Sequence, residues 1–376
     1  MTEIVKVPHD FGAVGDGVTN DTTAIQNFLT YLKDGGVGSW NNLSYKVNEG
    51  TLALQPTSAA GDTIGPTFLG HARFIAAGAS DAAILTIKNP DFVSSRAIYR
   101  DGNLGSVEFT DPNSTGSNRH GLSLSGCFGW TGSIVGNTLH GSVIVIPLRT
   151  SPGNVDEYEV WGCSFHIRNN GSINTVKNLN TVAGSVSSFA YESHSSSDGY
   201  LAGAGDEIML SQIALGNDAG WGFIFPAISG STGRHAVIDV GEIDTVVEGA
   251  FKIEKLTDSS ITRQRISARV VSGVCNPKQA GVKIGLGASG GDLCDNVYID
   301  MSYRIMPGMT LALLKPALDC TNSPNIANLT VNIRPDDQAG ILPATLAGKG
   351  AALVANVKST VTPVKIMIDG VTYINQ

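Results

Sequence analysis

The sequence predicts an all-β fold: a single-stranded parallel β-helix whose first end is closed by an N-terminal capping helix. Three observations carry that expectation. Strand-like segments recur at a near-constant step, helical periodicity is nearly absent beyond the first forty residues, and the composition suits short strands and tight turns. Glycine occupies 45 of 376 positions, well above the usual ~7%, and Val, Ile, Thr, Ser and Asn are spread throughout. Apolar residues at 42% against 15% charged leave ample material for a core.

The one clear helix lies in "DTTAIQNFLTYL", where Ala24, Ile25, Phe28, Leu29 and Leu32 make a single apolar stripe. Asn20, Asp21 or Thr22 can cap its first turn, and the glycines of "KDGG" end it. Thereafter strand-like pieces follow one another: "EIMLSQIAL", "HAVIDVGEI", "QRISARVV", "NVYIDMSY" and "NLTVNIRP". Their first buried-looking residues, Ile208, Val237, Ile266, Val297 and Leu329, are spaced by roughly 30 residues. A second ladder opens on Gly222, Gly249, Gly281 and Gly308, with Gly141 upstream at a multiple of the same step. Two interleaved ladders mean one unit repeated with at least two strands in each. No helices separate the strands, which removes βαβ crossovers, and a propeller needs longer units of ~40–45 residues. The expected organisation is residues 1–50 as entry and cap, 51–345 as β-helix, and 346–376 as a C-terminal β segment that caps the other end or contacts another chain.

The net charge of −8 argues against nucleic acid or an anionic membrane as partner, since phosphate binding needs a basic footprint. No apolar run is long enough to span a membrane and no signal-peptide pattern opens the chain. The five cysteines, Cys127, Cys163, Cys275, Cys294 and Cys320, have no C-x-x-C spacing. They read as reduced core residues of a protein folded in the cytoplasm, with no metal site and no cofactor expected.

The stretch "DFGAVGDGVTNDTTAIQ" lacks the lysine and spacing of a P-loop and the closing glutamate of an EF-hand. It closely resembles the entry motif of the pectate-lyase-like superfamily through Asp10, Phe11, Gly12, Ala13, Gly15, Asp16, Gly17, Asp21, Thr22, Ala24, Ile25 and Gln26, with Asn20 replacing the first aspartate of the usual pair. The "P-x-G-x-Y" segment that normally follows is degenerate here, although Tyr45 and Val47 remain. The resemblance implies a right-handed β-helix of the bacteriophage tailspike and capsule depolymerase type. It further implies a homotrimer located in the virion at the phage tail, assembled in the host cytoplasm, with other tail proteins and a bacterial surface polysaccharide (capsule, exopolysaccharide or O-antigen) as partners. The long virion-anchoring domain common in such tailspikes does not precede the motif: either it has been removed from this chain, or the spike attaches through another component.

Hydrolysis of a polysaccharide needs two carboxyl groups, about 5–5.5 Å apart for retention or about 6.5–9.5 Å for inversion. Equivalent positions on neighbouring rungs lie ~4.8 Å apart. Asp218 shortly precedes Gly222 and Asp244 shortly precedes Gly249, so the two are expected at nearly the same place on adjacent rungs, with Glu242 and Glu248 close by. Trp221 offers a flat ring on which a sugar can stack. The structural alternative is that these are solvated turn acids; Asp206 and Glu207 form a weaker acidic pair one rung earlier. A lyase would need a base instead, for which His166, Arg168 and His194 are available. In "TRQRISAR", Arg263 and Arg265 share a strand face that either forms a solvated edge or meets an anionic polysaccharide. The expected function is therefore a spike that binds and hydrolyses a bacterial surface polysaccharide; a non-catalytic receptor-binding spike and a polysaccharide lyase are the alternatives.

Overall fold

The computed structural model describes residues 5–57, 62–78, 80–89, 99–112, 119–147, 160–178, 186–194, 198–201, 207–217, 220–226, 235–239, 241–243, 246–285, 293–321, 326–357 and 363–375. Strand dominates, at 56% against 9% helix, and the strands stack as parallel coils of a β-solenoid. Two compact units are distinguished, Met1–Tyr191 and Glu192–Gln376.

In the first unit the helix forms over Thr22–Leu32 and buries Ala24, Ile25, Phe28, Leu29 and Leu32, the five residues of the expected stripe. It lies directly on the first rung because Gly38 is bare: a Cβ there would stand 2.4 Å from Leu32 Cδ1. Phe28 meets Trp40 and Phe68 edge-on, at 5.5 and 5.8 Å between centroids.

The entry motif closes an edge. Asp16 Oδ1 accepts from the backbone N–H groups of Val18 and Thr19 at 2.8 and 2.7 Å, and these bonds, Thr19's foremost, hold its carboxyl below the usual range. Asp21 sits at the N-cap position without capping the helix by its side chain. Its buried carboxylate turns back to accept from Val14 N at 2.7 Å and Gly15 N at 3.0 Å, while Asn20 Oδ1 accepts from Thr22 N at 3.1 Å. Gln26 then reaches the outer strand Leu52–Leu54: Nε2 donates to Ala53 O at 3.0 Å and Oε1 accepts from Ala53 N at 2.8 Å. An amide side chain thereby replaces the missing neighbour of an open sheet edge.

Above this cap, one parallel sheet runs through Asp16–Asn20, Leu43–Val47, His71–Ala76, Asn103–Thr110, Thr131–Asn137 and Val160–Asn170. A second runs through Leu52–Leu54, Leu85–Lys88, Leu122–Ser125, Ser142–Ile146 and Asn174–Asn178. In-register inner residues form columns, Tyr45–Phe74–Phe109 on the first sheet and Leu52–Leu85–Leu122–Ile144 on the second, all buried.

The second unit repeats the scheme. Its first sheet passes through Glu207–Asn217, His235–Asp239, Lys255–Val271, Leu293–Ile305, Ile326–Asp337 and Val364–Ile368. Its second passes through Asp198–Leu201, Trp221–Phe225, Gly249–Ile253, Val282–Ile284, Leu318–Asp319 and Val354–Ala355. The column Ile238–Ile261–Ile299–Val331–Ile366 fills the core with aliphatic side chains, each 0% exposed, and Phe223 stacks on Phe251 at 4.8 Å.

The rungs are less regular than the sequence ladders suggest. Val297 does register with Leu329. Val237, however, registers with Ser260 and is 38% exposed, and Ile266 registers with Tyr303 while Val297 pairs with Ser259; a bulge between Ile261 and Gln264 shifts the pairing by one residue. Val282 and Leu318 are in register, so the rung expected at Gly308 begins later; Gly308 itself turns the chain at φ 91°.

The tail contains a helix, Leu346–Leu353, where only β structure was expected. Its burial is confined to Gly350 and Leu353, so it carries no apolar stripe for periodicity to reveal. Gly350 lies under the ring of Tyr373, and Val371–Asn375 folds back antiparallel on Val364–Ile368. All five cysteines are buried, as expected of core residues.

Candidate functional site

The site is built on the outward face of the first sheet of the unit Glu192–Gln376. Along Leu293–Ile305 the inner positions Val297, Ile299, Met301, Tyr303 and Ile305 are buried, so Tyr298, Asp300, Ser302 and Arg304 take the alternate, outward positions. On the next rung Thr330, Asn332, Arg334 and Asp336 do the same. Register carries one column through Glu242, Arg265, Ser302 and Arg334 on four successive rungs.

The bulge shapes the middle of this face. At Arg263 the backbone turns left-handed, φ 58°, an unusual state for a residue with a long side chain. The extra residue throws Arg263 outward, with 77% of its side chain exposed. Gln264 turns inward at 1% exposure, and Arg265 faces out again. The result is an open groove of about 600 Å³ lined by Gly241, Arg263, Gln264, Arg265, Ser302 and Arg334.

Arg263 and Arg334 are held by carboxylates at the rim. Arg263 makes a two-pronged ion pair with Asp239, Nε to Oδ1 at 2.9 Å and Nη2 to Oδ2. Arg334 Nη2 donates to Asp300 Oδ2 at 2.9 Å, and Asn332 Nδ2 donates to Asp300 Oδ1 at 3.0 Å. Guanidinium groups fixed in this way present their remaining N–H donors in a planar fork suited to carboxylate, sulfate or phosphate groups. The groove thus gathers three guanidinium groups in a chain of net charge −8, with Asp239 and Asp300 paired to two of them at its rim.

The residues singled out in the sequence fall in different places. Asp218 and Asp244 lie outside the described residues, as does Asp206. Glu242 lies on the groove column through its register with Arg265. Glu248 is half-buried at the turn before Gly249; its Oε2 accepts from Gln279 Nε2 at 2.6 Å, and it does not line the groove. Trp221 is 7% exposed, and its ring occupies the space that a side chain at Gly249 would need. Its face is spent on packing, so the open platform expected for a sugar is not formed there. His166 and Arg168 share an exposed strand face in the other unit.

Ser302 and Arg334 were not identified from the sequence. Their mutual register follows from the Val297–Leu329 step, which was legible. Their alignment with Arg265 was hidden because Val297 pairs with Ser259 rather than Ile266, and because the bulge then moves the register by one residue.

No family model matches the chain, and comparison with curated protein sequences gives no match. Solved structures resemble it in fold. The surface adhesin PfbA of Streptococcus pneumoniae aligns with a TM-score of 0.55 at 10% identity, over 97% of this chain and 89% of that one. The shared fold is a parallel β-helix. ORF18 of Geobacillus virus E2 aligns with a TM-score of 0.47 at 11% identity, over 97% of this chain and 61% of that one. Tailspike protein 3 of bacteriophage CBA120 aligns at 0.28 and 13% identity, over 99% and 62%. The chain thus spans less than two thirds of either viral protein.

Proposed function

We propose that this chain is a spike-type β-helix that binds an acidic polysaccharide of a bacterial surface in the arginine groove and hydrolyses it. The observation that carries the reading is the convergence of Arg263, Arg265 and Arg334 on one open groove of an otherwise acidic chain. A groove on the outer face of stacked strands suits a polymer, because it is open and every rung adds another row of side chains along it. The sequence motif at the entry supports the tailspike type, and with it a homotrimer on a phage tail. Hydrolysis is the finer part of the proposal. Of the two nominated carboxyl groups among the described residues, Glu242 has its register position on the groove column; Asp218, Asp244 and Glu248 remain nominated as its partner.

The test is retention on immobilised capsular and O-antigen polysaccharides, followed by size-exclusion chromatography of the polymer. We expect retention on acidic polysaccharides that weakens as salt is raised, loss of retention in Arg265→Gln and Arg334→Gln, and shortening of the polymer that Glu242→Gln abolishes while retaining binding. Retention without shortening would leave a non-catalytic receptor-binding spike. Products with the ultraviolet absorbance of an unsaturated uronate would make the protein a lyase. Equal retention on neutral and acidic polymers would overturn the role of the arginines.

A further inference from the structure

A second recess of about 340 Å³ opens on the same outward sheet face, lined among others by Val237, Ser260, Asn296, Tyr298, Asn328 and Thr330. Its chemistry differs from that of the groove. Val237, Ser260, Tyr298 and Thr330 are in register on four successive rungs, so an aliphatic side chain, a hydroxyl, an aromatic ring and a second hydroxyl stand in one column. Val237 and Tyr298 are 38% and 39% exposed, so their apolar surfaces are open to a ligand in the recess. One end of the recess is a fixed polar wall. Asp258, Asn296 and Asn328 take left-handed backbone at φ 47°, 53° and 49°, and their rungs are tied together by Asn296 Nδ2 donating to Asp258 Oδ1 at 2.6 Å and Asn328 Nδ2 donating to Asp295 Oδ1 at 2.8 Å.

Tyr298 and Ser302 lie on one strand, in unbroken register with Thr330 and Arg334 on the next. Four residues of extended chain separate the recess from the groove by ~13 Å, and Asp300 and Asn332 occupy the outward position between them. That separation exceeds a single sugar ring and matches a short run of linked ones.

Building on the glycan-binding reading above, we infer that the recess and the groove are two subsites of one oligosaccharide site whose ligand lies along the strands. The recess takes a neutral sugar, its apolar C–H face against Tyr298 and Val237 and its hydroxyls toward Ser260, Thr330 and the asparagine wall. The arginine groove takes a sugar bearing a carboxylate or another acidic substituent. The ligand class is therefore a polysaccharide whose repeat places an acidic sugar a few rings from a neutral one, bound in a single direction because the two ends of the site are chemically unlike.

The experiment is binding of the full chain to an array of acidic and neutral bacterial capsular polysaccharides, then calorimetry with disaccharide and hexasaccharide fragments of an acidic polysaccharide that is retained. We expect Tyr298→Ala to weaken hexasaccharide binding about tenfold, equivalent to ~1.4 kcal/mol, and to leave unchanged an acidic disaccharide that reaches only the groove. Arg334→Gln should weaken both. Hexasaccharide binding insensitive to Tyr298→Ala, with the arginine variant still defective, overturns the second subsite and leaves the arginine groove standing. Retention of no acidic polysaccharide overturns the reading on which both rest. Tyr298→Phe controls for folding and stacking, and it should bind the hexasaccharide nearly as the parent does.

Discussion

The unit Met1–Tyr191 buries an arginine between two carboxylates, whereas the unit Glu192–Gln376 sets arginine–aspartate pairs along the outer face of its first sheet. Arg119 in the first unit has a side chain only 1% exposed and lies between two carboxylates, with Nη1 2.5 Å from Asp111 Oδ1 and Nε 3.4 Å from Glu49 Oε1. Its Nε donates to Ser80 O at 3.1 Å, and Glu49 also accepts from Gly78 N at 3.1 Å. The neighbouring interior is aromatic: Trp40 stacks on Phe68 at 4.4 Å, and its Nε1 donates to Leu104 O at 2.9 Å. The second unit has an aliphatic column beneath its first sheet and keeps Arg263–Asp239, Arg304–Asp336 and Arg334–Asp300 on its outer face. The same coil geometry thus accommodates opposite uses of arginine. Buried, the guanidinium joins separate loops by fixed hydrogen bonds and fixes how they pack. Exposed, it contributes little to stability and is available to a ligand.

The strongest way to break the contrast is at the buried end. Arg119→Met leaves Asp111 and Glu49 without their cation and should cost about 3–5 kcal/mol, and Trp40→Ala should cost a similar ~3–5 kcal/mol. Both are read as a fall in the denaturant midpoint. A near-neutral Arg119→Met would mean that the buried charges do not hold the loops.

A pH effect of up to about 3 kcal/mol follows from His120. Its Nδ1 accepts from Ser142 N at 2.9 Å. Burial foremost, with Lys177 adding to it, pushes its pKa down to about 4. The folded state therefore keeps this imidazole neutral where the unfolded chain protonates it. Its contribution is fully present above pH ~6.5 and is lost as pH falls through about 4. Urea midpoints measured across that window should drop in the parent and drop less in His120→Gln.

A smaller effect of opposite sign is expected in the second unit. Gln264 is in register with Met301, and that column continues through Ile333 to Ile368. Neither atom of its buried amide has a hydrogen-bond partner. Gln264→Met should raise stability by about 1–2 kcal/mol, seen as a higher thermal midpoint; a lower one would assign the amide a structural role. Least of all, Arg265→Gln and Arg334→Gln should change stability by under ~1 kcal/mol while polysaccharide retention falls, which is the outward half of the contrast stated as a measurement.

Much of this architecture can be read without coordinates. The residues of "DTTAIQNFL" dictate a helix with one apolar face because 3.6-residue periodicity is local. The recurrence of strand-like segments dictates a stacked β fold because each rung must bury its inner face on the next. The helix Leu346–Leu353 was not legible, since its packing rests on a glycine under Tyr373 rather than on an apolar stripe. Trp221 misled because an aromatic side chain reads the same whether it covers a sugar or a neighbouring glycine; only packing separates the two.

The site itself was decided by tertiary structure. The sequence marks Arg263 and Arg265 as a basic pair and Glu242 as an acid, but joining Arg265 to Ser302 and Arg334 requires the register. A single bulged residue at a left-handed Arg263 resets that register. Its physical basis is that strand pairing has a two-residue side-chain period, so one extra residue exchanges inner and outer faces. What is local in energy, namely the cap, the turns and the alternation, was determined by the sequence alone. Which outward residues meet across rungs depends on where each coil closes, and that is fixed only when the coils pack.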